Sequence, residues 1–312
     1  MFKIFKNILF TFCLTTLTAS VFSQAIPTVS KGSIVRIDQL QSKFVDKRIV
    51  DVWLPEGYSK NKKYAVLYMQ DGQMLFDSTI TWNKKSWNIN HKISNLLIKN
   101  KIKEVIVVGI WNGDKKRHAE YFPQKPFEGL SAVQKNKIFD AVRSNNASVF
   151  NNQAIYSDNY LKYIVQELKP YIDQQFSTYT NTKNTFIGGS SMGGLISMYA
   201  ICEYPNIFGG AICMSTHWPG IFEMENNPIP DAFLNYLSAK LPNPKNHKLY
   251  FDCGNLTLDA LYPPLQNKVD SVMRTKGFNE NNWLSKYFIN QDHSEVSWNS
   301  RIDIPLDFLL HK

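Results

Sequence analysis

The stretch TFIGGSSMGGLISMYAIC (residues 185–202) decides the fold. It opens as a short strand from Thr185 to Ile187, bends through Gly188-Gly189-Ser190-Ser191-Met192-Gly193-Gly194, and continues as an apolar helix from Met192 to Cys202. A strand that turns sharply into a helix needs residues without Cβ atoms at the bend. Gly189 and Gly193 flank Ser191 in the spacing G-x-S-x-G, which supplies them. In that setting Ser191 stands above the sheet, and the Met192 N–H, at the positive end of the helix, faces the carbonyl under attack. The spacing alone recurs by chance in many chains; the strand before it and the helix after it give it weight. A phosphate-binding turn would need G-x-x-x-x-G-K-[ST] or G-x-G-x-x-G in its proper setting, and neither is present.

Outward from this turn, strands and helices alternate. Residues 33–39 and 48–54 alternate as a hairpin would. YAVLYM (64–69) and EVIVVGI (104–110) are continuous apolar runs of the kind buried on both faces of a parallel sheet. Residues 208–214, 248–253 and 283–289 read as further strands. Residues 87–98, 157–172 (with Ser157 as its cap), 265–276 and the amphipathic 296–310 read as helices. The expected fold is α/β: an α/β-hydrolase fold, with a mostly parallel central sheet and helices on both faces. Residues 114–156 break the rhythm. They are polar and long for a connection, so a lid-like insertion is expected in one domain spanning 24–312.

Composition excludes other classes. With 312 residues, 44% apolar, 13% aromatic and 20% charged, the chain is neither disordered nor collagen-like. Lys3 and Lys6 precede an uncharged apolar stretch that ends at Val21-Phe22-Ser23, the layout of a secretory signal peptide over residues 1–23. Periplasmic or extracellular export follows as an expectation, with no membrane span in the mature protein. Removing that leader lowers the net charge of +9 by two. Much of the rest concentrates at Lys115, Lys116, Arg117, Lys125, Lys135 and Lys137, inside the insertion, where it suggests steering of an anionic substrate. No nucleic-acid module accompanies the charge, so no nucleic-acid partner is expected. Three mature cysteines, Cys202, Cys213 and Cys253, read as buried thiols rather than a disulfide framework. No C-x-x-C or H-E-x-x-H occurs, and neither metal nor cofactor is expected.

A serine nucleophile needs a base, and in this fold the acid and histidine follow it in the chain. His293, in Gln291-Asp292-His293-Ser294-Glu295, lies between the last strand and the closing helix, where the general base belongs. The acid belongs in the loop after the penultimate strand. There Asp259, beyond Gly254, is better placed than Asp252, which is still in the strand and stays as the alternative. The second oxyanion donor belongs in the loop Gln70-Asp71-Gly72-Gln73, as the amide of Gly72 or of Gln73. His217 and Trp218 follow a strand and should border the nucleophile, with Trp218 as an aromatic platform for substrate. Arg117 and Glu120, in the insertion, are expected either to pair with each other or to touch substrate.

The segments RIVDVWLPEGY (48–58), MQDGQMLFD (69–77), RHAEYFP (117–123), SDNYLKYIVQELKPYID (157–173), GGSSMGGLISMYA (188–200), STHWPG (215–220), GNLTLDALYPPLQ (254–266) and HSEVSWNSRIDIPLDFLL (293–310) together resemble the putative-esterase (esterase D-like) family of α/β-hydrolases. That family includes formylglutathione hydrolases, feruloyl and acetyl xylan esterases, enterochelin-type siderophore esterases and mycolyltransferases. The resemblance implies a catalytic triad of Ser191, Asp259 and His293. Two departures stand out: Gln70 replaces a histidine found in many relatives, and the acid lies further past Gly254 than in the formylglutathione hydrolases. The expected function is an exported serine esterase acting through an acyl-enzyme on a small-molecule or oligosaccharide ester, acetyl or feruloyl. The alternatives are a siderophore trilactone esterase, an acyltransferase or a non-catalytic hydrolase-fold binding protein. Oligomeric state is left open.

Overall fold

Eight strands form one mixed sheet in a computed structural model that describes residues 24–312; the leader expected over residues 1–23 lies outside the described residues. They are β1 (Ser33–Leu40), β2 (Arg48–Leu54), β3 (Ala65–Met69), β4 (Val105–Ile110), β5 (Thr185–Ser190), β6 (Gly210–Met214), β7 (Lys248–Cys253) and β8 (Trp283–Tyr287). The order is β1-β2-β4-β3-β5-β6-β7-β8. β1 and β2 pair antiparallel, β2 meets β4 antiparallel, and every pairing from β4 to β8 is parallel. The apolar runs explain this. β3, β4, β5 and β6 are buried along their whole length, as strands covered on both faces must be. One core layer includes Ile164, Leu195 and Phe208; the other includes Trp87, Ile93, Trp298 and Leu306. The parallel strands all end at the same edge, and Ser191 follows β5 there.

Helices cross between the strands, with local departures from the periodicity. The helix beginning at Ser157 contains a π-helical turn at Tyr163–Leu168 before resuming at Lys169–Gln175. Pro170 lacks the N–H that an α-helical ladder needs, and its ring crowds the carbonyl four residues back, so the ladder is offset there. Ser157 is the first helical residue rather than the cap; its Oγ instead accepts a hydrogen bond from the Gln124 N–H at 3.0 Å. The closing segment is two helices, Glu295–Arg301 and Asp303–Leu310. A helix at Ile229–Lys240, which no periodic reading singled out, packs Phe233 and Leu237 into the core.

The insertion is built rather than irregular. It holds helices at Arg117–Tyr121, Gln124–Glu128 and Ala132–Phe139, the last with a Ser131/Gln134 capping box. Phe122, Phe127, Phe139 and Phe150 stack edge to face around His118. The expected Arg117–Glu120 pair does not form. Glu120 is fully buried and takes both guanidinium arms of Arg48 from β2, at 2.7 and 2.9 Å, while Arg117 turns to Asp71. A carboxylate this deep needs a bidentate partner, and β2 brings one. The charge expected to steer substrate is largely matched: Lys116 lies beside Asp46, Lys125 beside Glu203 and Lys137 beside Glu223.

Two buried histidines give a pH signature. Burial holds His118, hydrogen-bonded through Nε2 to the Gly220 carbonyl, down at about 3, and holds His217 well below its usual value. The unfolded chain takes up these protons near pH ~6.5, and the native fold takes them up only at far lower pH. Stability is therefore full above pH ~6.5 and falls on acidification, by about 2 kcal/mol for His118 between pH 7 and 5, and His217 acts in the same direction. Urea unfolding at the two pH values checks this, and His118→Asn is expected to remove a large part of the difference.

Candidate active site

Ser191 has φ 57° and ψ −125°, a region that residues with a Cβ rarely occupy. Neighbouring contacts impose it. The Ser191 N–H donates to the Met214 carbonyl of β6 at 3.0 Å, and its carbonyl accepts from Leu195 at 3.1 Å and His217 at 3.2 Å. A Cβ on Gly189 would lie 2.8 Å from the Gly193 carbonyl carbon and 2.9 Å from Gln70 Cβ, and one on Gly193 would lie 3.1 Å from the same Gln70 atom. The turn is thus a three-way contact among Gly189, Gly193 and Gln70. Ser190 is buried and Ser191 is part-exposed, with the Met192 N–H in the first turn of the helix that follows.

The structure brings Asp259 to His293. Asp259 Oδ1 lies 2.5 Å from His293 Nδ1, and Oδ2 accepts from the Gly254 N–H and the Ser215 hydroxyl, both at 2.6 Å. Asp252 goes elsewhere: Arg301 holds its carboxylate through Nε and one terminal nitrogen at 3.0 and 3.1 Å, and Tyr250 adds a hydroxyl at 2.9 Å. Arg301 and Trp298 both donate to Ser215 Oγ, at 2.9 and 3.0 Å, so a single buried hydroxyl links the two carboxylate sites. Gly254 is required here, because a Cβ would fall 2.1 Å from the Gln291 carbonyl oxygen of the histidine loop. His293 is further fixed by its N–H to Thr257 Oγ1 at 3.0 Å and by the edge of Trp298. Among the described residues no hydrogen bond joins Ser191 Oγ to His293. Such contacts are often long in unliganded sites and tighten once substrate binds.

The loop after β3 approaches from the other side. Gly72 presses on β4 so closely that a Cβ would meet the Gly109 carbonyl carbon at 2.4 Å. Asp71, in left-handed conformation (φ 55°, ψ 48°), begins the short 3-10 turn Gly72–Met74. Its carboxylate accepts from Arg117 Nε and NH2 at 2.6 and 2.8 Å and from Asn112 Nδ2 at 2.7 Å. Among the described residues the Gly72 and Gln73 N–H groups have no backbone acceptor. Gln70 spends its Oε1 on the Tyr160 hydroxyl and its N–H on the Gly188 carbonyl, so it buttresses the turn.

Three expected substrate contacts sit elsewhere. Trp218 is buried, stacks on Phe251 and donates Nε1 to Gln266 at 2.9 Å, so it is not a platform. Glu120 is locked to Arg48. His217 borders the nucleophile but is fully buried, its Nδ1 2.8 Å from the Tyr262 hydroxyl. The exposed aromatic is Phe222, 40% accessible, with its ring 5.4 Å from that of His217 and Arg143 over its face at 5.2 Å. Sequence reading also missed Tyr262. It is buried between the His217 and His293 rings, and its hydroxyl faces the Ser191 side chain. A signal existed: in the 3-10 turn Thr257–Leu261, with Tyr262 N–H on the Asp259 carbonyl, residues three apart share a face.

Residues 42–302 match the family model described as putative esterase. The endo-1,4-beta-xylanase/feruloyl esterase of Xylanibacter ruminicola is 26% identical over 285 residues, covering 86% of this chain and 30% of that protein. A ferulic acid esterase from the anaerobic fungus Anaeromyces mucronatus superposes with a TM-score of 0.59 at 18% identity, over 90% of this chain and 91% of its own. The enterobactin esterase of Shigella flexneri superposes with a TM-score of 0.63 at 14% identity, over 91% of this chain and 60% of its own. These structural likenesses establish the α/β-hydrolase fold. The matches span 30% to 61% of the lengths of the curated relatives.

The geometry makes Arg117 a brace for the loop after β3. Arg117→Met is expected to slow labelling of Ser191 by a fluorophosphonate by about ten-fold, a fraction of the 10²–10³ typical for deleting an oxyanion donor outright. Mass spectrometry of labelled protein measures the rate, and Arg117→Lys should recover only part of it, because one ammonium cannot replace a bidentate fork.

Proposed function

The chain belongs to the putative-esterase family, and from that premise we propose that it is a serine carboxylic-ester hydrolase working through an acyl-enzyme. The observation that carries the reading is the Asp259–His293 pair beside the strained Ser191 turn. Ser191 Oγ attacks the ester carbonyl as His293 Nε2 takes its proton. Asp259, bonded to Nδ1, keeps that proton-accepting nitrogen facing the serine and stabilises the imidazolium that forms. The Met192 amide and an amide of Gly72 or Gln73 receive the oxyanion. His293 then protonates the leaving alcohol, and water reverses the sequence to release the acid.

A carbohydrate-linked ester, acetyl or feruloyl, is the proposed substrate. Support comes from the relatives named for feruloyl ester cleavage and from Phe222, an exposed ring 5.4 Å from that of His217, on which an aromatic or sugar group can stack. One observation favours a second reading, an anionic catecholate trilactone: Arg143 lies over Phe222 and, among the described residues, has no carboxylate partner. No helix among the described residues is long and apolar enough to cross a membrane. The basic and apolar residues of 1–23 support export to the periplasm or beyond.

Ser191→Ala is expected to fold normally and to lose turnover of an activated aryl ester; retained turnover would refute the nucleophile. Asp259→Asn should lower kcat by about 10²–10⁴-fold. Asp252→Asn should act mainly on stability, which thermal unfolding beside the kinetics would separate. A panel of acetylated xylan, feruloyl sugar and catecholate trilactone ranks the substrates, and a competing alcohol acceptor reveals transfer as new ester rather than free acid.

A further inference from the structure

Positive charge collects far from Ser191. At the opposite end of the sheet, where β5 to β8 begin, a cavity of about 690 Å³ is bordered by Lys103, Lys183, Lys245 and Lys248 together with the amides of Asn206 and Asn282. Among the described residues no Asp or Glu borders it. Of the nearby acids, Glu104 faces Lys62, Asp307 faces Lys101 and the cavity-lining His311, and Glu280 and Asp303 border a neighbouring recess also lined by Lys248. Two of the ammonium groups are held in place rather than waving in solvent. Lys103 lies over the Phe186 ring at 5.3 Å, and Lys248 lies over Phe308 at 5.1 Å and donates to its carbonyl at 3.0 Å. Burial, reinforced by the charges of Lys183 and Lys248, holds the Lys103 ammonium below its ordinary range, and burial does the same for Lys248.

Gathering like charges in a half-buried recess is unfavourable, and a ligand that supplies the missing negative charge relieves it. The donor set indicates which ligand. Lysine binds phosphate-type oxyanions as a compact point charge, and the Asn206 and Asn282 amides add neutral donors beside it. The volume exceeds what one phosphate fills and lies in the range of small-molecule sites. Ligands of open α/β sheets ordinarily bind at the carboxyl ends of the strands, so this recess is separate from the Ser191 mouth. We propose that it binds a multiply charged phosphate-type oxyanion of about pyrophosphate size, clamped between Lys103 and Lys248.

Calorimetric titration of pyrophosphate into the full chain, in salt of about 0.15 M to screen loose surface charge, tests this. One saturable site per chain is expected, with inorganic phosphate at least ten-fold weaker. The pair Lys103→Gln/Lys248→Gln should weaken binding at least ten-fold while hydrolysing an activated ester at the unmodified rate. Without ligand it should melt no lower than the original chain, because repulsion is removed. Lys183→Gln, at an exposed position of the 3-10 turn Thr182–Asn184, supplies a second variant with a smaller loss. Absence of saturable heat, equal binding by the double variant, or an equal thermal shift from citrate at matched ionic strength would overturn the proposal. Polyphosphate binding tighter than pyrophosphate would support it and identify a phosphate polymer as the source. Ester hydrolysis plays no part in the readout, so this inference and the esterase reading stand or fall separately.

Discussion

The contact of Gly189 and Gly193 with Gln70 is the constraint on which the site depends. Three backbone segments meet there with no room for a Cβ: the end of β5, the first turn of its helix, and the loop leaving β3. Only that closeness lets the chain hold Ser191 at φ 57°, and the strain is paid for by hydrogen bonds to β6 and to the loop that carries His217. The same contact places the loop after β3 beside the helix N-terminus. Ser191, the Met192 amide and the amides of Gly72 and Gln73 are therefore positioned by one piece of packing.

Around this centre the molecule sorts its charged groups by burial. Asp259 and Asp252 lie seven residues apart and share Ser215 and Arg301, yet Arg301 hydrogen-bonds only Asp252. Asp252 meets a guanidinium and a tyrosine hydroxyl, which makes it a structural carboxylate. Asp259 hydrogen-bonds two neutral donors and the imidazole, with the Arg301 guanidinium further off at 3.8 Å, so its shortest contact is with His293. The insertion follows the same rule. Its deepest acid, Glu120, takes Arg48, and its Arg117 reaches the loop after β3, so the insertion is tied to that loop.

Much of the fold could be read in the chain. Continuous apolar runs gave the buried strands, and the G-x-S-x-G turn gave their direction, because both are patterns of a few adjacent residues. Departures arose where distance in sequence mattered. Trp218 looked like a platform from its place after β6, but Gln266 and Phe251, 48 and 33 residues on, draw it into the core. Tyr262 carried only a weak local sign and gained its place from packing between two histidines brought from different loops. The lysines of the insertion looked like an open field of charge until acids from three other segments came beside them.

The sequence by itself determined the sheet, the turn that presents Ser191, and the order in which acid and histidine follow it. These depend on side-chain volume, on glycine's missing Cβ and on alternation, all of which act over a few residues. Tertiary structure alone decided which acid meets His293, which cation meets Glu120, and where positive charge collects. A carboxylate or ammonium takes whichever partner the fold carries into its own low-dielectric surroundings, and that choice is made across the whole chain.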